Sequence, residues 1–265
     1  MQSIDELAYS SPFKDWSPLG KFTLALSLLV SSLVASSIVI PLVAFCIGFV
    51  LLFISTRFRF PKVIVFALLE GMIIFLIGSV VIALVTEGDP LWTYDIGPWE
   101  LTFSNQGVHL GTMVFLRAVA GATVMLFFAT STPVPQFAQS LRQVRIPNEL
   151  VELTVLIYRY SFLLLEQLNT MYIAADSRLG FRTYKRKYRT TAKIAVGVFT
   201  RSIDMAERSQ VALEVRSFRG EFRSYHPPVK ISTKWIALSL IVFLSLYTFN
   251  LAIVDPAPLI QLLKM

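Results

Sequence analysis

The chain reads as an all-α polytopic membrane protein, with about five transmembrane helices and a cytoplasmic domain of long amphipathic helices. Three observations predict this. Of 265 residues, 55% are hydrophobic and the mean hydropathy is +0.64, too apolar for an ordinary soluble domain. Apolar runs long enough to cross a bilayer recur along the sequence. The lysines and arginines behind the net charge of +7 fall mostly between Arg142 and Lys230, the bias expected of one membrane face.

Residues 22–55 form an apolar run that accommodates two short or tilted spans, divided near Ser37 with Pro41 close to the break. Lys14 and Lys21 precede it and Arg57, Arg59 and Lys62 follow, so both ends of this pair belong on the cytoplasmic side. A third span covers residues 63–85 and contains Glu70. Residues 86–107 carry Glu87, Asp89, Asp95 and Glu100 and no lysine or arginine. They read as an outer loop in which Trp92, Tyr94 and Trp99 form an interfacial belt. A fourth span, residues 108–131, contains Arg117, and a fifth covers residues 235–254 before Asp255-Pro256. The N-terminus is placed inside and the C-terminus outside. Residues 1–14 include Asp5 and Glu6 and no apolar core, unlike a secretory signal.

Between the fourth and fifth spans the pattern changes. Pro133 and Pro135 open a short helix with Phe137, Leu141 and Val144 on one stripe. Pro147 suits the first position of the next helix, which runs to about Ser177, is very apolar over residues 153–165 and is interrupted on one face by Glu152, Arg159 and Glu166. It reads as a long helix buried against protein or at the interface, with membrane passage of part of it the alternative. Arg182, Lys185, Arg186, Lys187 and Arg189, interleaved with Tyr184 and Tyr188, read as a polybasic turn at lipid headgroups. A third helix, residues 190–217, has an apolar stripe of Ala192, Ala195, Val196, Phe199, Ile203 and Ala206, and Asp204 can pair with Arg208. Pro227-Pro228 ends the segment. The domains expected are therefore residues 1–131 (membrane helices), 132–232 (cytoplasmic helices carrying two arginine motifs) and 233–265 (last span and tail).

Catalytic signatures are sparse. No G-x-x-x-x-G-K-[ST], H-E-x-x-H or G-x-S-x-G occurs, so a membrane enzyme finds no support at catalytic spacing. Cys46 is the single cysteine, and His109 and His226 lie far apart, so neither a disulfide framework nor a histidine metal site is expected. Glu70, Arg117 and the row Glu152, Arg159 and Glu166 read either as a substrate or proton path or as helix–helix ion pairs or snorkelling, and the second is preferred because no cluster of intramembrane carboxylates accompanies them. The basic segment is ordinary for a cytoplasmic face, so no nucleic-acid partner is expected.

Two arginine motifs stand out. Ser177-Arg178-Leu179 and Val215-Arg216-Ser217 each close a long helix, each with a second arginine downstream (Arg182, Arg219) and an aromatic beside it (Phe181, Phe218). A cation at a helix C-terminus is ordinary, because the dipole favours it. The repetition of one device is what suggests a grip on a partner. A guanidinium at the tip of a rigid helix can enter a groove and bind carboxylates in bidentate fashion while staying charged, with Phe181 and Phe218 anchoring beside it.

These residues carry a family resemblance over nearly the whole length. Ile4-Asp5-Glu6-Leu7-Ala8-Tyr9-Ser10, Trp16-Ser17-Pro18 and Lys21 resemble the opening of the transmembrane T component of energy-coupling factor (ECF) transporters, most closely the CbiQ-type subunit of cobalt/nickel importers. Phe115-Leu116-Arg117, Ser131-Thr132-Pro133, Arg145-Ile146-Pro147 and Tyr158-Arg159-Tyr160 are similar to its middle. The arginine motifs are similar to its paired Ala-Arg-Gly or Ala-Arg-Ser signatures, from which Ser177, Leu179 and Val215 depart. The resemblance implies a non-catalytic subunit without cofactor, whose Arg178 and Arg216 insert into two CbiO-type ATP-binding-cassette ATPases. It also implies a CbiM-type membrane S component that holds the substrate, and the lipid bilayer as surroundings. A T component for vitamin uptake and a stand-alone carrier or channel remain the alternatives.

Overall fold

The computed structural model describes residues 4–14, 16–57, 60–88, 90–96, 99–217 and 233–254. For residues 4–6, 90–96, 99–103, 233–234 and 251–254 it describes the backbone alone. The fold is that of an all-α membrane protein. Its helices are α1 (Ile4–Ser10), α2 (Pro18–Val34), α3 (Val39–Ser55), α4 (Lys62–Val85), α5 (Asn105–Ser131), α6 (Val134–Leu141), α7 (Asn148–Ser177), α8 (Tyr184–Val215) and α9 (Thr233–Val254). Helices α4 and α5 are long and apolar enough to cross a membrane, and shorter apolar helices lie at Pro18–Val34, Val39–Ser55 and Trp235–Asn250. These five coincide with the expected spans. The chain forms two compact units, Met1–Ser140 with Val229–Met265, and Leu141–Pro228.

In the first unit, local chemistry sets the helix boundaries. Ser17 caps α2 by accepting from Gly20 N–H at 3.4 Å, with Pro18 in the first turn. Ser104 caps α5 by accepting from Gly107 N–H at 2.9 Å. One core joins Ala25 and Leu28 of α2, Ile40 and Ala44 of α3, Ala120 and Val124 of α5 and Leu246 of α9. A second joins Phe13, Leu52, Ile64 and Phe127. Backbones approach closely at glycines. A Cβ placed on Gly107 would stand 2.6 Å from the Ala83 carbonyl oxygen, and one on Gly111 would stand 2.7 Å from that of Ser79. This small-residue seam brings α4 against α5, the packing mode that membrane helices favour when lipid offers no hydrophobic drive.

Three polar side chains of this unit bond backbone at or beside helix ends. The Lys21 ammonium, buried, donates to the carbonyls of Phe13 (3.0 Å) and Ser131 (2.7 Å), the latter on the last residue of α5. Arg117 of α5 donates to the carbonyl of Ala35, the C-cap of α2, and Asn250 of α9 accepts from Ser36 N–H at 3.1 Å. Arg117 therefore satisfies a buried carbonyl at the end of α2. Among the described residues it makes no ion pair.

Three local expectations are corrected. The acidic segment between α4 and α5, expected as a loop, contains an antiparallel hairpin, β1 (Pro90–Ile96) and β2 (Trp99–Ser104), with Ile96 opposite Trp99 and Tyr94 opposite Leu101. Its alternating aromatic and β-branched residues satisfy each other's backbone. The side chains of Trp92, Tyr94 and Trp99 are outside the described residues. Helix α8 begins at Tyr184, so most of the expected polybasic turn is helical, as lysine and arginine permit. Pro147 caps α7 from outside, one residue before its start.

Alanine at Gly107 or Gly111 forces Cβ into backbone oxygen and is expected to cost about 1–3 kcal/mol. That should appear as a lowered unfolding midpoint of the purified protein in detergent. Gly78→Ala, where a Cβ meets nothing within 4 Å, leaves the midpoint unchanged.

Candidate functional site: two arginine-tipped helix ends

The second unit is built on an antiparallel helical hairpin. Tyr160 of α7 bonds Ser209 of α8, Gln167 bonds Arg201, and Gly197 stands against Met171, where a Cβ would lie 3.3 Å from the methionine sulfur. Each pair steps up α7 and down α8. Polar pairs and one small residue hold the seam, while most of α8 is exposed, with no fully buried residue among those described. Arg142 braces the start of α7 by an ion pair to Glu152 at 3.0 Å. Arg159 and Glu166 are exposed, so the three charges read as one row occupy different environments. Asp204 and Arg208 line a groove with Gln167 and Arg201 without bonding to each other.

Both arginine motifs adopt the same local structure. Helix α7 ends at Ser177, Arg178 is its C-cap, and Leu179 follows with φ 55°. Helix α8 ends at Val215, Arg216 is its C-cap, and Ser217 follows with φ 54°. Leu179 N–H donates to Asp176 C=O at 2.8 Å, and Ser217 N–H donates to Glu214 C=O at 2.9 Å. In the first motif Gly180 N–H also reaches Ala175 C=O at 2.9 Å, completing the two-bond stop that ends helices on a left-handed residue. Glycine is the usual residue there, and a side chain in that conformation costs about 1–2 kcal/mol. The arginine thus sits where the backbone turns sharply off the axis.

The arginines are free to act. Arg178, Arg182 and Arg216 are exposed, and their side chains make no hydrogen bond or ion pair among the described residues. Each motif arginine has an exposed apolar neighbour, Leu179 at 59% and Val215 at 80%. Ser177 Oγ is turned back to Ile173 C=O at 2.8 Å. Phe181 packs on Tyr172 with ring centroids 4.8 Å apart, so its ring is committed to stiffening the turn. Phe218 and Arg219 are outside the described residues. The 32 residues of α8 separate the two motifs by about 48 Å at 1.5 Å per residue. The site is two cationic tips at opposite ends of one hairpin. Among the described residues no three of His, Cys, Asp or Glu gather at a metal-binding separation.

Sequence reasoning missed the residues that support the first tip. Gly180 allows α8 to close on the turn, since a Cβ there would stand 2.8 Å from Ala175 O and 3.1 Å from the Thr190 side chain. Thr190 Oγ1 donates to Gly180 C=O at 2.9 Å. A glycine just past a helix end is a readable signal. Nothing at Thr190 announced a bond ten residues back.

Residues 9–228 match the family CbiQ, described as cobalt transport protein. The chain belongs to this family. The matched stretch includes both arginine motifs. An uncharacterized protein of Methanocaldococcus jannaschii is 30% identical over 235 residues, covering 88% of this chain and 87% of that protein. The cobalt transport protein CbiQ of Salmonella typhimurium is 24% identical, over 84% of this chain and 99% of that protein. The putative fused cobalt transport protein CbiMQ of Methanocorpusculum labreanum is 24% identical, over 82% of this chain and 36% of that protein. Family membership makes the chain a membrane protein of cobalt transport.

Gly180→Ala is expected to destabilise the second unit by about 1–3 kcal/mol, seen as faster amide hydrogen exchange across residues 175–190. Leu179→Gly relieves the left-handed strain, worth about 1 kcal/mol, and slows exchange in the same peptides.

Proposed function

We propose that this chain is the T component of an ECF-type importer, coupling ATP hydrolysis in partner ATPases to substrate release by a separate membrane S component. The observation that carries the reading is the repeated tip: two arginines, unpaired among the described residues, each followed by a left-handed residue that ends its helix, at the two ends of one braced hairpin. Two equivalent grips on one lever fit a paired motor. Each tip would enter a groove of one CbiO-type ATPase and bind carboxylates there. In this reading residues 132–232 are the cytoplasmic coupling domain, residues 1–131 and 233–265 are the membrane part, and residues 86–107 lie outside.

The mechanism is mechanical. ATP binding would draw the ATPases together and move Arg178 and Arg216. The seam bonds of Tyr160 with Ser209, Gln167 with Arg201 and Thr190 with Gly180 would keep the hairpin from bending, so the displacement reaches the membrane part and tips the S component. The fused CbiMQ relative, whose name joins two transport proteins in one polypeptide, supports a CbiM-type partner and hence cobalt, with nickel as the related ion. Vitamin uptake keeps the same coupling with a different S component. A carrier acting alone is not favoured. Arg117 is spent on the Ala35 carbonyl.

Arg178→Ala and Arg216→Ala are each expected to cut cobalt uptake by cells at least about tenfold, the effect of removing a buried, hydrogen-bonded charge pair. The same variants lose the ATPases in affinity purification and keep the wild-type unfolding midpoint. Normal uptake by the double variant would sink the reading.

A further inference from the structure

Glu70 is a carboxylate in an unusual place. It is the eighth residue after Lys62, about 12 Å along α4. A helix of 24 residues spans about 36 Å against a hydrocarbon thickness of about 30 Å. With α4 centred, Glu70 sits roughly 9 Å inside the hydrocarbon, too deep for its short side chain to reach the headgroups. Ionisable residues within membranes almost always face the bundle interior or a wet cavity. Glu70 does neither.

Its direction follows from the helix period. Ser79 and Ala83 turn toward α5, where Gly111 and Gly107 meet their carbonyls. Glu70 lies on the opposite side. Phe66, Ile73, Ile74, Ile77 and Val81 lie within about 60° of it, and all five are between 52% and 68% exposed. Glu70 itself is exposed and makes no hydrogen bond or ion pair among the described residues. On the same side Gly78 has open space where a Cβ would be, leaving room for another backbone to approach. An apolar face with one carboxylate at its centre is expensive to leave in lipid and well suited to a helix that brings a donor.

We propose that the outward face of α4 centred on Glu70 is the docking site for a transmembrane helix of the partner membrane subunit, which presents a lysine, an arginine or another N–H donor to the carboxylate. The inference rests on the importer reading and deepens it by naming where the membrane subunit binds. The apolar ring around Glu70 would exclude lipid and water from the pair, the arrangement in which a charged contact discriminates most strongly between partners. It also separates the two kinds of partner by residue. The arginine tips hold the ATPases, and Glu70 holds the membrane subunit.

The experiment is affinity purification of the full-length tagged chain from native membranes in mild detergent, measuring membrane subunit and ATPase recovered per chain. Glu70→Leu is expected to lower the membrane subunit more than about tenfold, with the ATPases retained and the unfolding midpoint unchanged. Glu70→Gln, which keeps the shape and one acceptor oxygen, falls between. In a Cys46→Ser background, Ile77→Cys is expected to cross-link to the membrane subunit and Ile241→Cys on α9 is not. Undiminished recovery with Glu70→Leu, or Ile77→Cys that joins only a second copy of this chain, overturns the docking face and leaves the importer reading standing. A wild-type chain that brings down no membrane subunit overturns the importer reading itself.

Discussion

The buried ammonium of Lys21 is the contact on which the membrane unit depends. It joins the carbonyl of Phe13, before α2, to that of Ser131, at the end of α5. A helix ending among apolar neighbours leaves carbonyls without partners, and each would cost free energy if water could not reach it. Lys21 supplies a charged donor from the start of a neighbouring helix, where the positive group also faces the negative end of the α5 dipole. Arg117 does the same for Ala35 at the end of α2. Two cations that hydropathy alone would mark as anomalies are what allow short spans to stop and turn inside the protein.

The same problem of ending a helix is solved differently in the hairpin unit. There the ends are exposed, and the backbone closes on itself through a left-handed residue. No side chain has to be spent as a cap, so Arg178 and Arg216 stay unpaired. The residues beside the two arginines differ in a physically meaningful way. Leu179 occupies the left-handed position at a cost in strain, and in exchange presents an exposed apolar group beside the arginine. Ser217 occupies the equivalent position with a smaller side chain.

Much of the fold was legible because bilayer thickness imposes a length scale on sequence. The runs at residues 22–55, 63–85, 108–131 and 235–254 reappear as α2 to α5 and α9. The division near Ser37 is real because α2 stops at Val34 and α3 starts at Val39. The ends of α7 and α8 were readable to within a residue or two, since Arg178 and Arg216 follow long helical periods. The hairpin at 90–104 was not readable. Acidity and missing cations announced an exposed loop, and they say nothing about whether its strands pair. The start of α8 was missed for a related reason: a cluster of like charges resembles a turn, yet each residue in it is a competent helix former.

Sequence by itself determined that the chain lives in a membrane, where its spans lie and which two arginines end its long helices. These follow from composition and from periods of a few residues, which are local properties. Only the tertiary structure decided which polar groups are spent and which are free. Lys21 and Arg117 reach carbonyls 110 and 82 residues away, while Glu70 lies on the side of α4 turned away from α5. Whether a charge caps a helix or awaits a partner depends on what packs against it. That depends on the rotation of each helix about its axis, set here by the close contact of Gly107 and Gly111 with α4.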